Sequence, residues 1–194
     1  AALNQRAAFL ATQTSAWGRH YTVVRVFCPS AAAYTNSIIL NNKVFVPIIN
    51  SPYDTTALRV YRDAMPGYEV LGFTGSWLAD DAIHCRIMGI TDRYMLSIDH
   101  IPLYDTLDWD QDYLISTRIV DHSHEGLIPE SLRVYYQVNS EPYDFVLLQP
   151  TSKGDSFYAN IPSQLPGSQI SYFIKAADNS GRVETHPPIG APGA

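Results

Sequence analysis

Cys85 sits in the segment Asp80-Asp81-Ala82-Ile83-His84-Cys85-Arg86, shortly after Gly72-Phe73-Thr74-Gly75-Ser76-Trp77. Ionisable neighbours flank its sulfur at the end of an apolar stretch, Tyr68 to Phe73. A thiol in such surroundings is placed to act as a thiolate, the form that is both nucleophile and metal ligand. The same residues also fit a half-buried free cysteine with no chemistry. His84 is a candidate general base, although neighbouring side chains on a strand or loop leave in different directions. Asp80 and Asp81 either carry negative potential toward the sulfur or cap the following turn. A second cluster, Asp121-His122-Ser123-His124-Glu125, puts two imidazoles at i, i+2, where one strand face could present both to a metal. A solvated loop is the other reading, since no further ligands lie near it in the sequence. Cys28, between an apolar run and Pro29, reads as a packing residue at the core or its rim.

The elements that must position these residues fall into two kinds. Leu3 to Gln13 predicts a short amphipathic helix, with Leu3, Ala7, Leu10 and Ala11 on one face. Tyr21 to Phe27 reads as a β-branched strand stopping before Pro29. Ser37 to Leu40 and Lys43 to Ile49 flank Asn41-Asn42, a strong hairpin signal. Asp54 is expected to cap a helix over Thr55 to Ala64, with Leu58, Val60 and Tyr61 toward the core and Met65-Pro66-Gly67 ending it. Tyr68 to Phe73 follows as a strand, then the cysteine loop, then a strand over Tyr94 to Ile98 that closes this half. The order is a ββαβ-type unit in a mixed architecture carrying its chemistry on loops.

After Pro102 to Gln111 only strands are predicted: Tyr113 to Val120, Ser131 to Val138, Phe145 to Leu148, Ser156 to Ile161 and Gln169 to Ala177. Turn signals stand at Asn139-Ser140, Lys153-Gly154 and Pro166-Gly167. Short alternating strands at this spacing point to a β-sandwich of immunoglobulin type. The fold class is therefore α+β, divided at residues 1–104 and 105–194, with an irregular tail from His186.

Composition narrows the function classes. Of 194 residues, 46% are hydrophobic and 16% charged, as in a core-forming globular protein. A net charge of −6 leaves no basic stripe for nucleic acid and fits a site that receives a cation. No apolar run reaches about 18 residues, so no membrane-spanning helix is predicted. Two cysteines are too few for a disulfide framework, and whether they pair stays open. The start at Ala1-Ala2-Leu3 is read as the result of a removed export signal or as part of a longer polypeptide.

The segments Tyr34 to Pro47, Ala64 to Gly72 and Asp81 to Arg86 resemble, in order, the Asn-bearing hairpin, the helix-to-strand connection and the nucleophile segment of the guanidine-modifying deiminases. Within that superfamily the chain resembles the bacterial, Porphyromonas-type peptidylarginine deiminases. Ala177-Asp178-Asn179-Ser180-Gly181-Arg182-Val183-Glu184-Thr185 is similar to the end of the immunoglobulin-like domain that follows their catalytic domain. The resemblance implies that residues 1–104 are the last part of a five-fold α/β propeller built of ββαβ units. It implies hydrolysis of arginine guanidinium to citrulline and ammonia, without metal or organic cofactor. Cys85 takes the nucleophile position, passing through a thiouronium intermediate, and Asn36 matches an asparagine lining the substrate site. Peptide or protein arginine is the implied substrate, and a secreted or cell-surface location is implied.

The family's His-x-Asp segment and an earlier aspartate would precede Ala1, so an N-terminal chain completing the propeller is an expected partner. None of the six histidines replaces that motif. Two other functions remain: a deiminase for a small guanidine such as agmatine, and a catalytically silent binding or adhesion module. In the last case Trp77, Trp109 and Tyr143 would form an exposed aromatic patch.

Overall fold

A computed structural model describes residues 2–15, 19–29, 32–103 and 110–194. The chain divides into two compact units, Ala1–Gly89 and Ile90–Ala194. It is mixed α+β, mostly sheet with few helices.

The first unit opens with α1 (Ala2–Thr12), close to the predicted helix. No residue of α1 is buried, and Leu3 is 80% exposed. The expected strand over Tyr21 to Phe27 does not form. Among the described residues no strand lies beside it to take up its N–H and C=O groups, so β-propensity has nothing to act on. Arg25 instead ties this stretch to α1 by donating to Asn4 Oδ1 at 2.8 Å.

The hairpin is as expected: β1 (Ile38–Leu40) and β2 (Lys43–Ile48) pair antiparallel, Leu40 opposite Lys43. Asn41 turns the chain with φ of 52°, a left-handed conformation that asparagine tolerates. Then α2 (Asp54–Ala64) crosses over, so β3 (Glu69–Thr74) joins β2 in parallel and the order is β1-β2-β3. Val44 and Val46 of β2 are fully buried and pack with Tyr34, Ala57 of α2 and Val70 of β3.

Asp54 does not cap α2, because Tyr53 holds the cap position and no side chain bonds there. The Asp54 carboxylate is buried and used elsewhere: it accepts from the Tyr34 hydroxyl at 2.6 Å and from Ser51 N–H at 2.9 Å. Burial, then the Asp54 hydrogen bond, pushes the Tyr34 hydroxyl up to about 12. That phenol keeps its proton and latches the turn ahead of α2 to the segment that carries Asn36.

The second unit holds two antiparallel four-stranded sheets. One contains β4 (Leu96–His100), β5 (Tyr113–Asp121), β8 (Gln149–Pro150) and β9 (Ser156–Ile161), in the order β4-β5-β9-β8. The other contains β6 (Arg133–Val138), β7 (Asp144–Leu147), β10 (Ile170–Ala177) and β11 (Val183–His186), in the order β11-β10-β6-β7. Ile115, Ile119, Phe157 and Ile161 from the first sheet meet Val134, Ile174 and Ala176 from the second in one core. Asn139-Ser140 turns the chain with both φ values positive, 47° and 68°.

The strand expected to close the first half, near Tyr94 to Ile98, is instead β4 of the second unit. Its residues Leu96 and Ile98 pack on the second core, and Leu96 to His100 pair with Asp121 to Thr117. The expected division at 104/105 falls within 104–109, outside the described residues.

In the loop after β5, Asp121 accepts from Ser123 Oγ at 2.6 Å, Ser123 N–H at 2.8 Å, His124 N–H at 3.2 Å and Gly126 N–H at 2.7 Å. These donors, led by the Ser123 hydroxyl, hold its carboxyl at about 2. Among the described residues no three His, Cys, Asp or Glu side chains gather to hold a metal, so this segment is an organised turn. A carboxyl depressed from about 4 adds stability above its unfolded value and loses it as the pH falls toward about 2. Between those limits the amides of Ser123, His124 and Gly126 are expected to lose protection against deuterium exchange, measured relative to their intrinsic rates at each pH. Unchanged protection at pH ~2 would contradict that role.

Candidate active site

Cys85 lies in α3 (Ile83–Arg86), a single helical turn rather than the expected loop. Its preceding residues Ala82 and Ile83 are buried and anchor the turn, while Cys85 itself is exposed. Asn36 ends a turn closed by its own N–H on Ala33 C=O at 2.8 Å, just ahead of β1. Though 49 positions apart in sequence, the two residues meet directly: Asn36 Nδ2 donates to Cys85 Sγ at 2.9 Å.

Two backbone hydrogen bonds support that contact. Cys85 N–H donates to Asn36 Oδ1 at 3.3 Å, and His84 N–H donates to Asn36 C=O at 3.1 Å. The side-chain amide is thus fixed in orientation, its oxygen held by one donor and its nitrogen left to serve the sulfur. The amide N–H points at the sulfur, which accepts it. On its other side the sulfur lies 3.6 Å from Asp80 C=O, the acceptor for a neutral thiol.

The loop between β3 and α3 is braced by contacts of Arg86, Asp81 and Trp77. Arg86 donates to Asp81 Oδ2 at 2.7 Å and to Ser76 C=O at 3.0 Å, with its guanidinium 5.7 Å from the Trp77 ring. That hydrogen bond holds the Asp81 carboxyl below its usual range. Trp77 donates its indole N–H to Phe73 C=O at 3.0 Å and lies over Gly75. A Cβ at Gly75 would come within 2.5 Å of the indole ring, so this close approach requires glycine. Asp81 therefore neither caps a turn nor faces the sulfur; it anchors the loop through Arg86. Asp80 contributes its carbonyl and not its carboxylate.

His84 is exposed, and only its backbone reaches Asn36. Among the described residues no imidazole or carboxylate hydrogen-bonds the Cys85 sulfur. Cys28 is also exposed, its Sγ 3.8 Å from Val26 C=O, and both cysteines are free thiols. The expectation that Cys28 packs in a core or at its rim fails because the strand that should have placed it does not form. Trp109 of the expected aromatic patch lies outside the described residues.

The local chemistry is that of an accessible thiol with an amide donor on its sulfur, on a rigid turn. Among the described residues no helix is long and apolar enough to cross a membrane. Residues 1–90 match the family model described as Porphyromonas-type peptidyl-arginine deiminase, an interval that coincides with the first unit.

Proposed function

We propose, on the premise that the first unit is part of a Porphyromonas-type peptidyl-arginine deiminase domain, that it supplies the nucleophile for deimination of peptidyl arginine. The Asn36–Cys85 contact carries this reading. A guanidinium carbon is a poor electrophile, so attack on it needs an anionic sulfur held in place. Asn36 holds the sulfur in position for the arriving substrate.

The Cys85 thiolate forms a C–S bond to the guanidinium carbon, and one nitrogen leaves as ammonia after gaining a proton. The thiouronium that results is opened by water. The C–S bond breaks, the thiolate is restored and the ureido group of citrulline remains. The proton donor and the carboxylates that grip the guanidinium belong to other parts of such a domain. The exposed apolar residues of α1 and of the 21–27 stretch are surfaces that further parts would cover.

The second unit is read as an immunoglobulin-like sandwich. Its orders β4-β5-β9-β8 and β11-β10-β6-β7 correspond to the A-B-E-D and G-F-C pairings of that fold, with β7 added beside C. This correspondence supports the reading beyond the strand count.

A haloacetamidine, whose amidinium resembles guanidinium, tests the assignment together with neutral iodoacetamide. The amidine is expected to label Cys85 well before Cys28, with iodoacetamide separating the two thiols less. Equal labelling of both by the amidine would remove Cys85 from the nucleophile role.

A further inference from the structure

The outward face of the sheet β11-β10-β6-β7 is aromatic and cationic, although the residues behind it fill the core. Tyr135 lies opposite Phe173 on one side and Phe145 on the other. Tyr135 and Phe173 stack with centroids 5.0 Å apart, Phe145 sits 5.8 Å from Tyr135, and Tyr143 meets Phe173 edge-on at 5.5 Å. Phe145 is 42% exposed and Leu147 45% exposed on the same face.

Beside this stripe Lys175 stands directly opposite Arg133. Like charges at facing positions of antiparallel strands repel. Neither has a carboxylate within ion-pair distance among the described residues. The cations are kept together in a chain whose net charge is −6. Arg133 is held in place by donating to Glu130 C=O at 2.7 Å and Tyr135 Oη at 3.3 Å, with its guanidinium 4.3 Å over the Phe145 ring.

We propose that this face docks an acidic peptide segment, in which neighbouring carboxylates neutralise Arg133 and Lys175 while apolar side chains cover Phe145 and Leu147. Charge complementarity sets the sign of the partner. The ring geometry favours a peptide over a sugar chain. Tyr135 and Phe173 cover each other's faces, and Arg133 covers Phe145, which leaves ring edges and aliphatic surface that suit side chains better than flat pyranose stacking. The peptide lies across the face and does not extend the sheet. Asp144 Oδ1 accepts the Phe145 N–H at 2.7 Å, so that donor of β7 is already taken.

The probe is a fluorescein-labelled peptide alternating glutamate with leucine and phenylalanine, titrated into the whole chain by fluorescence anisotropy. Saturable binding that weakens with added salt is expected, with no binding of the lysine counterpart. Lys175→Glu should weaken it roughly tenfold or more, and Arg133→Glu likewise. Lys153→Glu, the same charge change on a loop outside this face, should leave it unchanged. The Lys175 side chain makes no hydrogen bond among the described residues, so its variant stays informative if Arg133→Glu misfolds. Three outcomes overturn the proposal: no saturable binding, equal loss in the Lys175 and Lys153 variants, or Lys175-dependent binding of polygalacturonate without binding of the peptide.

Discussion

On the function proposed above, Cys85→Ala is expected to lower citrulline formation on the order of a millionfold, as when other enzymes lose their nucleophile. No neighbour can replace the sulfur. Among the described residues its sulfur has the Asn36 amide and the Asp80 carbonyl as hydrogen-bond partners, neither of which can form the covalent intermediate. Asn36→Ala should lose less. It removes one N–H donor from a charged sulfur, worth about 1.5–3 kcal/mol, or roughly tenfold to a hundredfold in rate. Haloacetamidine labelling should give the same order: abolished at residue 85 in the first variant and slowed in the second. If Asn36→Ala labels and turns over at the parent rate, the 2.9 Å contact does not serve the reaction and Asn36 only shapes the turn.

The parts of this molecule that could be read from sequence were those fixed by local chemistry. Asn41-Asn42 between two apolar runs specified the hairpin, and Met65-Pro66-Gly67 ended α2 because the chain there can go no further as a helix. Alternation in Tyr113 to Val120 marked β5 because every second residue enters one core. What failed were the residues whose fate depends on partners. Tyr21 to Phe27 has strand composition but, among the described residues, no strand beside it, and Cys28 is exposed as a consequence. Asp54 has the composition of a cap, yet the buried Tyr34 hydroxyl claims it. The strand expected over Tyr94 to Ile98 pairs as Leu96–His100 with β5 of the second unit, since alternation tells which face is apolar and not which core receives it.

The site shows the same division. The surroundings of Cys85 marked it as a candidate from its own segment. Asn36 entered only through its place in a larger pattern, because a contact spanning 49 positions leaves no local trace. The Arg86–Asp81–Trp77 brace went unassigned, although Gly75 before Trp77 carried a signal: a glycine two residues ahead of an indole fits a ring folded back onto backbone.

Ile174→Ala is expected to destabilise the second unit by about 2–5 kcal/mol, the usual cost of deleting a buried branched side chain and leaving its cavity. Ile174 has no exposed surface and lies in β10, which pairs on both sides within its sheet. Its side chain belongs to the core shared with Ile115, Ile119, Phe157 and Ile161 of the facing sheet. Against a typical stability of about 5–15 kcal/mol, such a loss is a large fraction of what holds a small domain together. The first unit has its own core around Val44, Val46, Ala57 and Tyr34. Thermal unfolding of the variant should therefore show an early transition in which β-sheet signal is lost while haloacetamidine labelling of Cys85 keeps its parent rate. Loss of both signals in one transition would mean that the units fold as one, whatever their separate cores, and the two would then have to be treated as a single cooperative domain.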